Sequence, residues 1–470
     1  MSRKLLVRGG VTVTMDQKRR VIRDSAVAVE DGRVLGVGPT EEISSGFRTD
    51  EVIDAKGCII MPGLICAHTH LYGIALRGSG LNVKPPSDFL QILQRIWWPV
   101  DEALTNEDAY ATTLAAGIES LMNGTTCFAD TYSAPNSIEG SLDHIAKASN
   151  EVGIRGIISF EATERRSEQE GTRGLQESLR FIGRKDKGRA MGMVSLHAPF
   201  TVTDELIAHG VEAIEKHHVP LTIHVSEGPG DVYHNMERYG IRSVERLHDS
   251  GLLSPRSVLA HCVHLDDREI ELISKSSANV AHNPMSNMLN AVGVSPLLEM
   301  MDHGVNVGLG NDGYIFDMFE NMRAAYLLQR VSRRNPNRPS PQEVIEMCTV
   351  NAARAYGLDS LGSIEVGKRA DLIVVRPSYM ATPYSGSVYG YVVNGLRGSD
   401  VRDVVIDGEV VVRDKKVLKV DVRRSEARVL KTMDRLWRRL GSSPSEAVEP
   451  LRLDSGHGST GVKRRRRRAS

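Results

Sequence analysis

Four apolar stretches of this 470-residue chain end in side chains that bind metal ions: Leu64–His70 (LICAHTH), Leu221–Glu227 (LTIHVSE), Ser257–His264 (SVLAHCVH) and Asn306–Gly313 (NVGLGNDG). Read as strands, side chains two apart share a face. Leu64, Cys66, His68 and His70 then lie on one side of the first stretch. Thr222, His224 and Ser226 share a side of the second, with Leu221, Ile223 and Val225 opposite. In the fourth, Gly308, Gly310 and Asp312 alternate with Val307, Leu309 and Asn311. A lone HxH carries little weight, because about half of one is expected by chance among 15 histidines. The ordered set of strand ends carries the argument.

Imidazoles with one carboxylate suit Zn²⁺, with Fe²⁺ as the alternative. We assign His68, His70, His224 and Asp312 as ligands of one divalent metal. The fourth strand (MGMVSLHAPF) offers no lysine to bridge a second ion. A cation there would lower the pKa of a water from about 15.7 toward about 7. Glu227 follows His224 by three residues and is the candidate proton shuttle. In a regular strand it would point away, but a strand that ends there frees the backbone to turn it inward. His261 is placed to stabilise a developing oxyanion, and Asp312 to accept a proton during attack. By parity His264 faces elsewhere and is structural.

These residues need a scaffold that gathers strand ends. From about residue 59 to 360 an apolar strand alternates with an amphipathic helix. Further strands are read at 125–130, 154–160, 191–198 and 278–283, and helices at 106–123, 141–152, 204–217, 266–276 and 317–331. A Pro341–Tyr356 helix closes the series. Eight such units predict an α/β fold, a (β/α)₈ TIM-type barrel with the metal at its C-terminal face. Residues 1–58 and 363–420 are strand-rich, with Asp-Gly hairpin signals at 31–32 and 407–408. Neither flank has enough strands for its own core, so together they predict a composite β-sandwich around a barrel at 59–362. Residues 421–441 read as a C-terminal helix and 442–470 as a disordered basic tail.

Composition, 41% hydrophobic and 25% charged, is that of a globular chain;. No run approaches the ~18–20 apolar residues of a membrane span and no signal peptide is evident, so a cytoplasmic location is expected. Five cysteines far apart argue against disulfides and thiolate zinc, and Cys66 and Cys262 read as buried small hydrophobes. Six of the 59 basic residues lie in the terminal KRRRRR, so the rest carries 53 basic against 59 acidic residues. That mildly acidic body argues against nucleic acid as a partner. A small molecule is the expected partner, and a homo-oligomer is compatible.

The runs PGLICAHTH, HVSE, AHCVHLD, HNPMSNM, GLGNDG and GSIEVGKRADLIVV resemble the amidohydrolase superfamily over about residues 3–420. The similarity is to its aminohydrolase branch of cytosine, guanine and methylthioadenosine deaminases and triazine hydrolases. Stretches such as RIWWPVDEALTNED and GNDGYIFDMFENMRAAYLL look closest to the SsnA-type subgroup. The resemblance implies a single zinc or iron on His68, His70, His224 and Asp312, acid/base chemistry by Glu227, and a role for His261. It implies substrate contacts at Asp101, Arg173 and His197. Adenosine-type members carry Glu where this chain has Asp101, and Arg at the end of the third strand where it has Phe160 and Glu161. Ribose recognition is thereby in doubt. The expected activity is hydrolysis of a non-peptide carbon–nitrogen bond, as a deaminase of a small nitrogen heterocycle. A chlorohydrolase or dealkylaminating triazine-type hydrolase, and a non-catalytic scaffold, are the competing readings.

Overall fold

A computed structural model describes residues 3–49, 51–78, 81–377 and 388–441. The basic tail predicted at 442–470 lies outside the described residues.

Strands β1 (Leu64–Thr69), β2 (Thr125–Tyr132) and β3 (Arg155–Ala162) are buried at every position, as strands covered on both faces must be. They are followed by β4 (Val194–Leu196), β5 (Leu221–Val225), β6 (Ser257–His261), β7 (Asn279–His282) and β8 (Asn306–Leu309). All pair in parallel, in chain order. The chain after β8 returns to β1, where the Asn311 and Asp312 amides donate to the His68 carbonyl at 3.0 and 3.1 Å. This is a nearly closed TIM-type barrel.

Local signals start the helices between strands. Thr105 and Asp108 form a reciprocal cap on Asn106–Met122, and Asp266 and Glu269 do so on Asp267–Lys275;. The predicted Pro341–Tyr356 helix is instead two, Pro341–Met347 and Val350–Ala355. The Cys348 carbonyl accepts from the Ile65 amide of β1 at 2.8 Å. A helix carbonyl diverted to the barrel breaks the ladder at Thr349.

The chain ends build a separate, mostly antiparallel nine-stranded sheet. Its order is Lys416–Val417, Glu409–Arg413, Val401–Ile406, Leu372–Val375, Ile59–Pro62, Lys4–Val13, Val21–Glu30 and Arg33–Pro39, with Val52–Asp54 also on Lys4–Val13. Ile59–Pro62 pairs with Leu372–Val375, so these four residues leave the barrel segment predicted to begin at 59. The sheet curls until Val34 exchanges hydrogen bonds with the 367–368 backbone. Leu5, Val7, Val27 and Val29 then share a core with Leu372, Val374 and Val405. The two Asp-Gly turns meet, and a Cβ on Gly32 or Gly408, both at positive φ, would collide with the other turn's backbone;.

Arg155 of β3 joins barrel to sheet, reaching Asp371 at 3.3 Å and Asp407 at 2.7 Å. The C-terminal helix Val422–Arg439 lies against Asn106–Met122, and Trp437 Nε1 donates to the Ala75 carbonyl at 3.1 Å. Among the described residues no helix is long and apolar enough to cross a membrane.

Candidate active site

Each candidate ligand sits where a barrel strand ends: His68 and His70 at β1, His224 in β5, His261 closing β6, Asp312 just past β8. At three tips a residue adopts left-handed backbone, Ser226 at φ 49°, His261 at 71° and Asp312 at 59°. Such turns break strand alternation. At Ser226 the turn sends Glu227 inward against its parity, and its carboxylate ends 3.5 Å from His261 Nε2.

The main chain orients two of the imidazoles. His70 donates its Nδ1 proton to the Thr131 carbonyl at 2.8 Å, and His224 donates its own to the His197 carbonyl at 2.7 Å. Their Nε2 atoms face each other across 3.1 Å. Asp312 Oδ1 lies 3.0 Å from His68 Nε2, 3.4 Å from His70 Nε2 and 3.6 Å from His261 Nε2. The second Asp312 oxygen accepts from Ser286, and His261 donates Nδ1–H to Asn287 at 2.9 Å. His261 Nε2 is buried without a hydrogen-bond partner.

This donor set fits a metal ion. One atom each from His68, His224, His261 and Asp312 falls within 4.8 Å of the others, and His70, Glu161 and His224 form a second such group. Two imidazole lone pairs facing at 3.1 Å need a proton or a cation between them. The electrostatics agree. Burial opposes charge on His70, yet the Asp312 and Glu161 carboxylates outweigh it and push the imidazole up to about 10. Burial likewise opposes charge on His261, and Glu227 and Asp312 raise it to about 9. A metal would compete with those protons. Burial, joined by Asp312, lifts the Glu227 carboxyl to about 7, the range suited to moving protons near neutrality.

A cavity of about 450 Å³ opens over these groups, walled by Phe89, Leu93, Trp97 and Phe200, with Glu227, Asp101, Glu161 and His197 on its polar side. Asp101, expected to contact substrate, does line it, but its oxygens already accept from Tyr72 (2.9 Å) and Arg165 (3.0 Å). His197 lines it too.

Arg173, expected beside them, does not. It projects from the outer face of Glu168–Ile182, half-exposed, and pairs with Glu139 at 2.8 Å. That helix buries Gly171, Gly174, Leu175 and Ser178, a face Arg173 does not share. The arginine near the site is Arg165, buried over the Trp98 ring at 5.0 Å. It was not legible because it lies in the loop after β3, where no period applies. Glu161 was legible only as a departure from the adenosine-type pattern. His264 stands outside, donating to the Val292 carbonyl at 2.7 Å.

The family model of the amidohydrolases matches residues 59–411. The chain is 35% identical to the 5'-deoxyadenosine deaminase of Methanosarcina mazei, over 93% of this chain and 99% of that protein. It is also 35% identical to the 5-methylthioadenosine/S-adenosylhomocysteine deaminase of Desulforudis audaxviator, over 88% of this chain and 94% of that one. A crystal structure of an adenosine deaminase from Xanthomonas campestris with bound zinc superposes with a TM-score of 0.84 at 26% identity, covering 92% of this chain and 98% of that one. The zinc complex of the Arthrobacter aurescens atrazine chlorohydrolase shares the fold, with a TM-score of 0.80 at 23% identity over 91% of this chain and all of that one. Barrel, strand-end donors and matches together define a hydrolase of carbon–nitrogen bonds other than peptide bonds. The chain belongs to the amidohydrolase family.

Proposed function

We propose that the protein is a zinc-dependent aminohydrolase that replaces an exocyclic amino group of a small nitrogen heterocycle with oxygen, releasing ammonia. The observation that carries this reading is the 3.1 Å approach of the His70 and His224 Nε2 atoms, with Asp312 beside them and Glu227 across the cavity. His68, His70, His224 and Asp312 would hold the ion. When bound, it supplies a Lewis acid that makes water nucleophilic near neutral pH.

The protein's own groups do the rest. Phe89, Trp97 and Phe200 offer flat apolar walls against which a planar ring can lie;. Glu227 takes a proton from the attacking water and delivers it first to the ring nitrogen and then to the departing amine. His261 turns its free Nε2 toward the same point and steadies the oxygen as charge develops. Net, one C–N bond breaks, one C–O bond forms, and ammonia leaves with the proton from water.

The named relatives put 5'-deoxyadenosine and methylthioadenosine first among compounds to try. Engagement of Asp101 by Tyr72 and Arg165 supports substrates recognised through the ring rather than a ribose. Five free, buried cysteines suit a reducing compartment and support the cytoplasmic reading;.

The test is ammonia release by zinc-loaded protein across purines, their 5'-deoxynucleosides, pyrimidines, pterins and triazines, with Glu227→Gln as control. Ammonia from none of them would defeat the proposal, and chloride from a chlorotriazine without ammonia would move the activity to the chlorohydrolases.

A further inference from the structure

The polar side of the cavity is rich in carboxylates, with Tyr72, Trp98, Tyr233 and Asn290 as its neutral donors. Asp88, Asp101, Glu161, Glu227, Asp231, Glu237 and Asp312 line it, and among the described residues no lysine or arginine does. Arg165 stands behind Asp101, pairing with it through Nη2 at 3.0 Å, and does not line the cavity itself. Such a lining disfavours anionic ligands and favours neutral or cationic ones rich in N–H.

Glu161, at the end of β3, is the centre of this lining. Oε2 accepts from the Thr131 hydroxyl at 3.2 Å and lies 4.0 and 3.8 Å from Nδ1 of His70 and His224. Both of those nitrogens already donate to carbonyls. Oε1 has no hydrogen-bond partner among the described residues and lies 3.9 Å from His197 Nε2.

His197 completes the arrangement. Its Nδ1 lies 2.6 Å from the Thr201 hydroxyl, which itself donates to the Ala198 carbonyl at 3.1 Å. The hydroxyl has one proton, already given to that carbonyl, so it accepts from Nδ1–H. With the proton on Nδ1, Nε2 is the ring's acceptor and faces Glu161. Two acceptors therefore stand 3.9 Å apart beside the metal-binding imidazoles, and no side chain among the described residues donates a hydrogen bond to either. A buried acceptor left without a donor costs free energy.

We propose that Glu161, with His197, is the specificity-determining pair, and that the substrate is a polyamino heterocycle whose second amino group, not the one hydrolysed, donates its N–H bonds to Glu161 Oε1 and His197 Nε2. This rests on the deaminase reading for the word substrate, but the recognition itself is independent of turnover.

The experiment compares 2,6-diaminopurine with adenine, which differ by one amino group, as free bases and as 5'-deoxynucleosides. Binding to the zinc-loaded protein is followed by calorimetry, and turnover by ammonia release, for wild type, Glu161→Gln and Glu161→Asp. The expected result is at least tenfold tighter binding of the diamino compound by wild type, in line with supplying donors to two buried acceptors that otherwise lack them. That preference should be lost in Glu161→Gln and reduced in Glu161→Asp, with zinc content unchanged. Equal binding of the pair by wild type, or a preference that survives in Glu161→Gln, overturns the proposal. If Glu161→Gln fails to fold or to keep zinc, the wild-type comparison and Glu161→Asp decide alone. A Glu161-dependent binding preference without ammonia from any compound would support this recognition and defeat the deaminase reading instead.

Discussion

His70 and His224 point their Nε2 atoms at each other across 3.1 Å because the Thr131 and His197 carbonyls claim the Nδ1 proton of each ring. The acceptors are main-chain atoms in or just past neighbouring barrel strands, so ligand orientation is tied to the barrel, with the Thr131 hydroxyl also 3.1 Å from His70 Nδ1. Carbonyl partners of this kind set the tautomer of metal-binding histidines.

Metal should therefore be part of the folded state's stability. Removing it with a chelator is expected to lower Tm, and zinc should restore it in proportion to the logarithm of free zinc over Kd. In His224→Ala the zinc-dependent Tm shift should vanish along with bound zinc by elemental analysis. An unchanged shift would remove His224 from the ligand set.

Glu227→Gln keeps the size and the Asn290 neighbour at 3.5 Å but cannot carry a proton. Zinc content should stay at the wild-type level while kcat falls at least about a hundredfold, the low end for loss of a general acid–base. Turnover near wild type would exclude Glu227 from proton transfer.

Gly313, in the turn after Asp312, sits at φ 97°, and a Cβ there would overlap the His70 carbonyl oxygen. Gly313→Ala is expected to cost more than the roughly 1 kcal/mol of an ordinary glycine replacement at positive φ, because the obstacle is backbone of the HxH strand. Denaturant titration together with zinc analysis should show both stability and metal affinity falling. A neutral result would mean that the β1–β8 junction can open without harm.

Arg155→Met would take from Asp371 its ion-pair partner at the barrel–sheet junction, while Asp407 keeps Arg369 and Arg189. Burial works against the Asp407 charge, but Arg155 and Arg369 outweigh it and hold the carboxyl below its ordinary value, while burial raises the Asp371 carboxyl. Losing one partner of a buried pair costs about 3–5 kcal/mol, read as a lower urea midpoint at pH 7. A depressed carboxyl stabilises above its unfolded pKa, about 4, and that contribution disappears as pH falls through the folded value. The gap between wild type and variant should accordingly be full at pH 7 and shrink below pH 4. A gap independent of pH would assign the effect to packing.

Much of the frame was readable because strand and helix periods are local. The parity of LICAHTH set His68 and His70 on one face, and both reach the cluster. The segments 141–152 and 204–217 are helical to the residue. Where a long-range partner took over, local reading failed. Pro341–Tyr356 breaks when Cys348 turns its carbonyl to Ile65, and Ile59–Pro62 joins the sheet because its pairing strand lies some three hundred residues away.

The amino-acid sequence by itself determined which donors end the strands and that eight strand–helix units would carry them, since side-chain alternation and amphipathic spacing need only neighbours along the chain. Tertiary structure alone decided what surrounds those donors. Left-handed turns at Ser226 and Asp312 aim the tips. Arg165 rather than Arg173 pairs with Asp101, and Glu161 and His197 are left as open acceptors. Loops after strands have no period, so where their side chains point follows from packing against residues far away in the chain.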